Sequence, residues 1–108
     1  MNKLFITFAF CISTLSAAED FSGADCLIIE EENSIICKYS NVRKSYDRNI
    51  KIFWINPKEN ISREKEVLVP AGHGSVYDFR YIEARIKGLW SFKVIDNKKE
   101  FSTTFEIK

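Results

Sequence analysis

Two stretches near the C-terminus alternate apolar and polar residues with a period of two. Trp90, Phe92 and Val94 are separated by Ser91 and Lys93, and Phe101, Thr103, Phe105 and Ile107 by Ser102, Thr104 and Glu106. A period of two puts every second side chain on one face of an extended chain, so these stretches are expected as half-buried strands. Asp96-Asn97-Lys98-Lys99 between them has the composition of a tight turn, and the pair is expected as an antiparallel hairpin. The same grammar extends backwards. Asn49 to Asn56 is β-branched and aromatic and stops at Pro57; Glu66-Val67-Leu68-Val69 is short and stops at Pro70; Tyr77, Phe79 and Tyr81 alternate with Asp78 and Arg80. No window of eleven residues carries a convincing helical period.

Two cysteines sharpen this pattern. Cys26-Leu27-Ile28-Ile29 and Ile35-Ile36-Cys37-Lys38-Tyr39 are β-type runs on either side of the polar stretch 30–34. A hairpin that sets Cys26 opposite Cys37 also sets Ile28 opposite Ile35. Cys26, Ile28, Ile35, Cys37 and Tyr39 then share one face, and a cross-strand disulfide looks into the core. A structural staple is the expected role, since a redox pair is usually spaced C-x-x-C.

The N-terminal eighteen residues follow a different plan. Met1-Asn2-Lys3 is basic, residues 4–15 are apolar, and Ser16-Ala17-Ala18 supplies small residues for a cleavage site, the layout of a secretory signal peptide. The apolar run is too short to cross about 30 Å of hydrocarbon as a helix. Cleavage after Ala18 removes Cys11 with the signal, and an even pair of cysteines in a small exported domain fits a disulfide. Residues 19–108 are then one domain of 90 residues, large enough for a single core with a thin stability margin. Without Lys3 the basic residues number fifteen, equal to the fifteen acidic ones. A neutral chain with interspersed charges offers no electrostatic reason to bind nucleic acid or an anionic membrane. The expected compartment is the periplasm, with the extracellular space as the alternative, and no integral membrane segment is expected in the mature chain.

About seven short strands with turn signals between them describe an antiparallel β-sandwich. The Trp90 and Phe101 sets are expected to face Ile52, Trp54 and the disulfide hairpin across the core, with residues 41–48 as a long connection between sheets. Gly88-Leu89-Trp90-Ser91-Phe92-Lys93-Val94, the turn, and Phe101-x-Thr103-x-Phe105-x-Ile107 together resemble the last hairpin of immunoglobulin-like sandwich domains in bacterial envelope proteins. The resemblance covers about twenty residues. It implies an immunoglobulin-like β-sandwich, and many such envelope modules bind other proteins. The eleven-residue cysteine spacing departs from an antibody domain, whose disulfide joins strands distant in sequence.

Catalytic chemistry finds little support. His73 is the only histidine, which excludes His/His metal pairs, and copper would find no soft ligands once the cysteines are joined and Met1 is removed. Gly72-His73-Gly74 lacks the Lys-Ser/Thr of a phosphate loop, and Glu30-Glu31-Glu32 reads as a solvated turn rather than a cation site. Asp78 and Glu83 have no spacing that marks a glycosidase pair. No enzyme activity and no cofactor or metal is therefore expected. Asn60-Ile61-Ser62 is a formal glycosylation sequon, relevant only in a eukaryotic host, whereas the composition rich in Lys, Ile and Asn looks bacterial.

The strands carry surplus apolar surface. Phe53, Trp54 and Ile55 are consecutive, and Tyr77, Phe79 and Tyr81 take one face of their strand while Val76, Asp78, Arg80 and Ile82 take the other. Either loops or the N-terminal segment cover the surplus, or it is a partner-binding face with Tyr77, Arg80, Tyr81 and Arg85 as anchors. Two functions fit. One is a noncatalytic exported interaction or accessory module whose partner is another envelope protein. The other is an inhibitor or immunity-type protein that inserts a loop, such as Pro70 to Ser75 with His73 in it, into the cleft of an envelope-acting hydrolase.

Overall fold

A computed structural model describes residues 22–108. The expected signal segment, residues 1–18, and Cys11 within it lie outside the described residues. Seven strands form two antiparallel sheets: β1 (Gly23–Ile29), β2 (Ser34–Ser40), β3 (Arg48–Ile55), β4 (Ile61–Val69), β5 (Ser75–Tyr81), β6 (Gly88–Asp96) and β7 (Lys99–Ile107). The first sheet runs β1-β2-β5 and the second β4-β3-β6-β7. A single 3-10 turn, Glu30–Glu32, joins β1 to β2.

The disulfide hairpin has the register its sequence implies. Cys26 stands opposite Cys37 and Ile28 opposite Ile35, and the two sulfurs are bonded. Asn33 takes the left-handed conformation, φ 54°, that reverses the chain, and its N–H donates to the Glu30 carbonyl. Asparagine tolerates that region better than most residues. The last hairpin turns on Asn97 and Lys98, both with positive φ, between the paired residues Asp96 and Lys99. Two such residues in succession make a type I′ turn, whose twist suits a tight hairpin.

One expected placement is corrected. β3 does not face β6 across the core; it is hydrogen-bonded beside β6, with Ile52 next to Val94 and Trp54 next to Phe92. Alternation specifies which face of a strand is buried but not which strand lies alongside it, and large apolar cross-strand pairs favour this neighbour. The disulfide hairpin does lie across from them. Trp54, Trp90, Phe92, Ile50, Ile52 and Val94 meet Ile35, Cys37 and Tyr39 in one buried cluster. Trp54 sits at its centre, edge-on to Phe92 and Phe105, with ring centroids 5.6 Å and 5.8 Å away. β4 is also longer than its expected four residues, beginning at Ile61. Residues 41–47 connect the two sheets, as expected.

The sandwich closes unevenly. On one side β1 lies close to β7, whereas the other pair of edge strands, β5 and β4, stands further apart. Polar side chains fill the wider edge. Pairing of Trp54 with Arg63 and Ile52 with Lys65 turns both cations inward from β4. Pairing of Cys37 with Asp78 and Ile35 with Arg80 does the same from β5. Inward charges on edge strands also discourage pairing with other chains.

Candidate interaction surface

The orientation of β5 determines what the molecule presents to solvent. Its polar side faces inward and its aromatic side outward: Asp78 is 7% exposed, whereas Tyr77 and Tyr81 are 64% and 58% exposed. The buried carboxylate is well partnered. Trp54 Nε1–H donates to Asp78 Oδ2 at 2.7 Å, Lys65 Nζ lies 3.1 Å from Oδ1, and Arg63 contributes an Nη contact at 3.2 Å. Burial pushes this carboxyl group up. The hydrogen bonds from Trp54 and Lys65, the Lys65 charge and the Arg63 contact outweigh burial and hold it below the usual carboxylate range. A fully buried indole N–H needs an acceptor, and Asp78 supplies it.

With Asp78 turned inward, Tyr77, Phe79 and Tyr81 must project outward. β2 and β1 complete the surface in three rows across the sheet. Phe79, Ile36 and Leu27 form the middle row; Tyr77, Lys38 and Asp25 lie on one side of it, and Tyr81 and Ile29 on the other, with Ser34 buried between them. Leu27 and Phe79 are exposed. Phe79 and Tyr81 pack edge-to-face with centroids 5.1 Å apart. An apolar middle with polar groups at the margin is the common anatomy of a protein–protein contact.

The expected anchors divide into three places. Tyr77 and Tyr81 share the outer face. Arg80 does not join them: it points inward, its guanidinium 5.3 Å from the centre of the Trp54 ring, and it donates to Ser62 Oγ at 3.1 Å. Arg85 lies in the connection after β5. There Arg85, Arg80 and Arg63 line an open cavity of about 530 Å³ with Phe79 and Tyr81. His73 is exposed in the loop preceding β5. A seven-residue strand separates it from Arg85, about 20 Å at the usual rise, so no single small site includes both.

The loop around His73 is held firmly by the 41–47 connection. Gly72 N–H donates to the Lys44 carbonyl at 2.8 Å, Asn41 N–H to the Gly74 carbonyl at 2.9 Å, and Ala71 N–H to Asp47 Oδ1 at 2.8 Å. A second polar cluster joins Tyr39, Arg48 and Asp96 inside the same end of the sandwich. The Tyr39 hydroxyl donates to Asp96 Oδ2 at 2.7 Å and Arg48 Nε to Asp96 Oδ1 at 3.1 Å. Burial and the neighbouring Asp96 push the tyrosine hydroxyl up. Arg48 and Asp96 form an ion pair at the end of β6, while Arg48 Nη1 and Asn41 Nδ2 are buried without a hydrogen-bond partner among the described residues.

Leu27, Ile36, Arg63 and the buried role of Asp78 are what sequence reasoning missed. The outward position of Leu27 and Ile36 follows from the inward one of Cys26 and Cys37, so the cysteine register carried the signal. Among the described residues no group of three or more His, Cys, Asp or Glu side chains could hold a metal ion. No described helix is long and apolar enough to cross a membrane. Comparisons of the chain with family models, curated proteins and solved structures give no match.

Proposed function

We propose that this chain is a noncatalytic exported module that docks a protein partner on the outer face of the β1-β2-β5 sheet. The observation that carries it is the orientation of β5. Three aromatic side chains face water while an aspartate is buried against Trp54. Solvent-facing apolar clusters of this kind mark contact surfaces, and Tyr and Phe are enriched there. The disulfide supports an oxidising compartment, and with the N-terminal layout it favours the periplasm. The strand order supports an immunoglobulin-like plan: it is the arrangement of such a domain with the fourth strand moved to the second sheet.

The test is affinity capture from a cell-envelope extract with the wild type and Phe79→Ser, partners being identified by mass spectrometry. A partner recovered by the wild type and lost by the folded variant supports the proposal. Equal recovery by both refutes it. The inhibitor alternative keeps one supporting observation, the firmly anchored loop around His73, since preorganised loops bind clefts at low entropic cost. His73→Ala in the same experiment separates the two, because loss of a hydrolase with that variant alone moves the site to the loop.

A further inference from the structure

The cations at the wide edge of the sandwich outnumber their carboxylate partners. Asp78 is shared between Arg63 and Lys65, and its second oxygen also accepts the Trp54 indole N–H. Among the described residues neither Arg80 nor Arg85 has a carboxylate within ion-pair distance. Among the described residues Arg80 makes one side-chain hydrogen bond, to the neutral Ser62 hydroxyl, and Arg85 Nε is buried without a partner. Burial, followed by the charges of Arg85 and Arg63, pushes the Arg80 guanidinium down to about 10. Like charges held together in a partly desolvated place favour an incoming anion.

The backbone that delivers Arg85 is built with care. Ile82 N–H donates to the Asn33 carbonyl at 3.0 Å and Glu83 N–H to Asn33 Oδ1 at 2.8 Å, tying the connection to the β1–β2 turn. Arg85 N–H then returns to the Ile82 carbonyl at 3.0 Å, and Ala84 takes a φ of 73° to allow it. A non-glycine residue in that conformation costs free energy that the surrounding structure must offset. The cavity opens beside Phe79 and Tyr81, whose rings form part of its wall. Glu83 also lines it, and its Oε1 accepts from the Asn33 side chain at 3.4 Å.

We infer that the cavity between Arg63, Arg80 and Arg85 receives a carboxylate of the protein partner, from an acidic side chain next to an apolar residue that rests on Phe79 and Tyr81. This rests on the outer-face reading above and adds the partner's chemistry to it. Guanidinium forks pair with planar carboxylates through parallel N–H···O bonds, and the Arg80 and Arg85 guanidinium groups, which have no carboxylate partner among the described residues, line the cavity such a ligand would enter.

The experiment needs no knowledge of the partner. The ¹⁵N-labelled mature protein is titrated with N-acetylglutamate while the arginine Nε–H resonances are followed by NMR, with sodium chloride at matched ionic strength as reference. The expected result is a saturable shift of the Arg85 and Arg80 signals beyond that caused by chloride. In Arg85→Gln the apparent affinity read from the Arg80 signal should fall about tenfold, as expected for losing a charge-assisted contact. Should that variant unfold, Arg80→Gln, read at Arg85, serves instead. Leu27→Ser, on the same outer face but outside the cavity wall, should retain the carboxylate response, so failure of the cavity and failure of the sheet face give different results. No shift beyond chloride, or an unchanged affinity in a folded Arg85→Gln, overturns the inference. Saturation by inorganic phosphate at lower concentration than by N-acetylglutamate overturns the carboxylate assignment.

Discussion

Replacing Asp78 by alanine removes the acceptor on which the inward side of β5 depends. Trp54 has no solvent exposure, so its indole N–H would be left buried and unpaired, a loss of about 1–3 kcal/mol. The two cations lose less. The Arg63 and Lys65 side chains are 36% and 45% exposed, so water can replace the carboxylate, and each pair contributes at most about 0.5–1 kcal/mol after screening. The expected total is about 2–4 kcal/mol, a large share of the stability of a domain this small. Asp78→Asn keeps an oxygen for the indole and should lose about half as much. Urea unfolding at neutral pH followed by tryptophan fluorescence measures both. Acid provides a second check. The folded carboxyl lies below its unfolded value, near 3.9, so the unfolded chain takes up the proton first. Its contribution is complete above about pH 5 and drains away as the pH falls through 4 and below. The gap between wild type and Asp78→Asn should narrow over that range. A loss under about 1 kcal/mol for Asp78→Ala at neutral pH would refute the inward placement.

Two further outcomes follow from the core. Trp90 is almost fully buried and its indole donates to the Ile86 carbonyl at 2.8 Å, so Trp90→Ala should cost about 3–5 kcal/mol in the same assay. Thiol titration of denatured, nonreduced protein taken from its native compartment should find no free thiol at Cys26 or Cys37. Reduction should remove on the order of 2–3 kcal/mol, from the chain-entropy cost of an eleven-residue separation.

The first and last hairpins were readable in the sequence because each carries two agreeing signals. Cys26 and Cys37 lie symmetrically about a polar turn, and the alternation of Trp90, Phe92 and Val94 resumes at Phe101 after a mostly polar stretch that contains Asn97-Lys98, the pair that adopts the turn. The neighbour of β3 was not readable, since Ile52 and Trp54 have the same buried face whether β6 lies beside them or opposite. The split of β5 into an aromatic and a mixed face was visible, but the direction of each was not. It depends on Trp54, twenty-four residues earlier in the chain, needing an acceptor, and on Arg63 and Lys65 meeting that same carboxylate from β4. For the same reason Arg80 and Tyr77 looked like joint anchors, although their positions on one strand put them on opposite sides of the sheet.

An open aromatic face on β5 is the premise on which the proposed binding rests, and hydroxyl-radical footprinting of the folded protein measures it directly. Tyr77, Phe79 and Tyr81 should be oxidised rapidly, while Tyr39, which is 1% exposed, and Trp54 should react only on unfolding. Protection of Tyr77 and Tyr81 to the level of Tyr39 in the free, folded chain would contradict the open face.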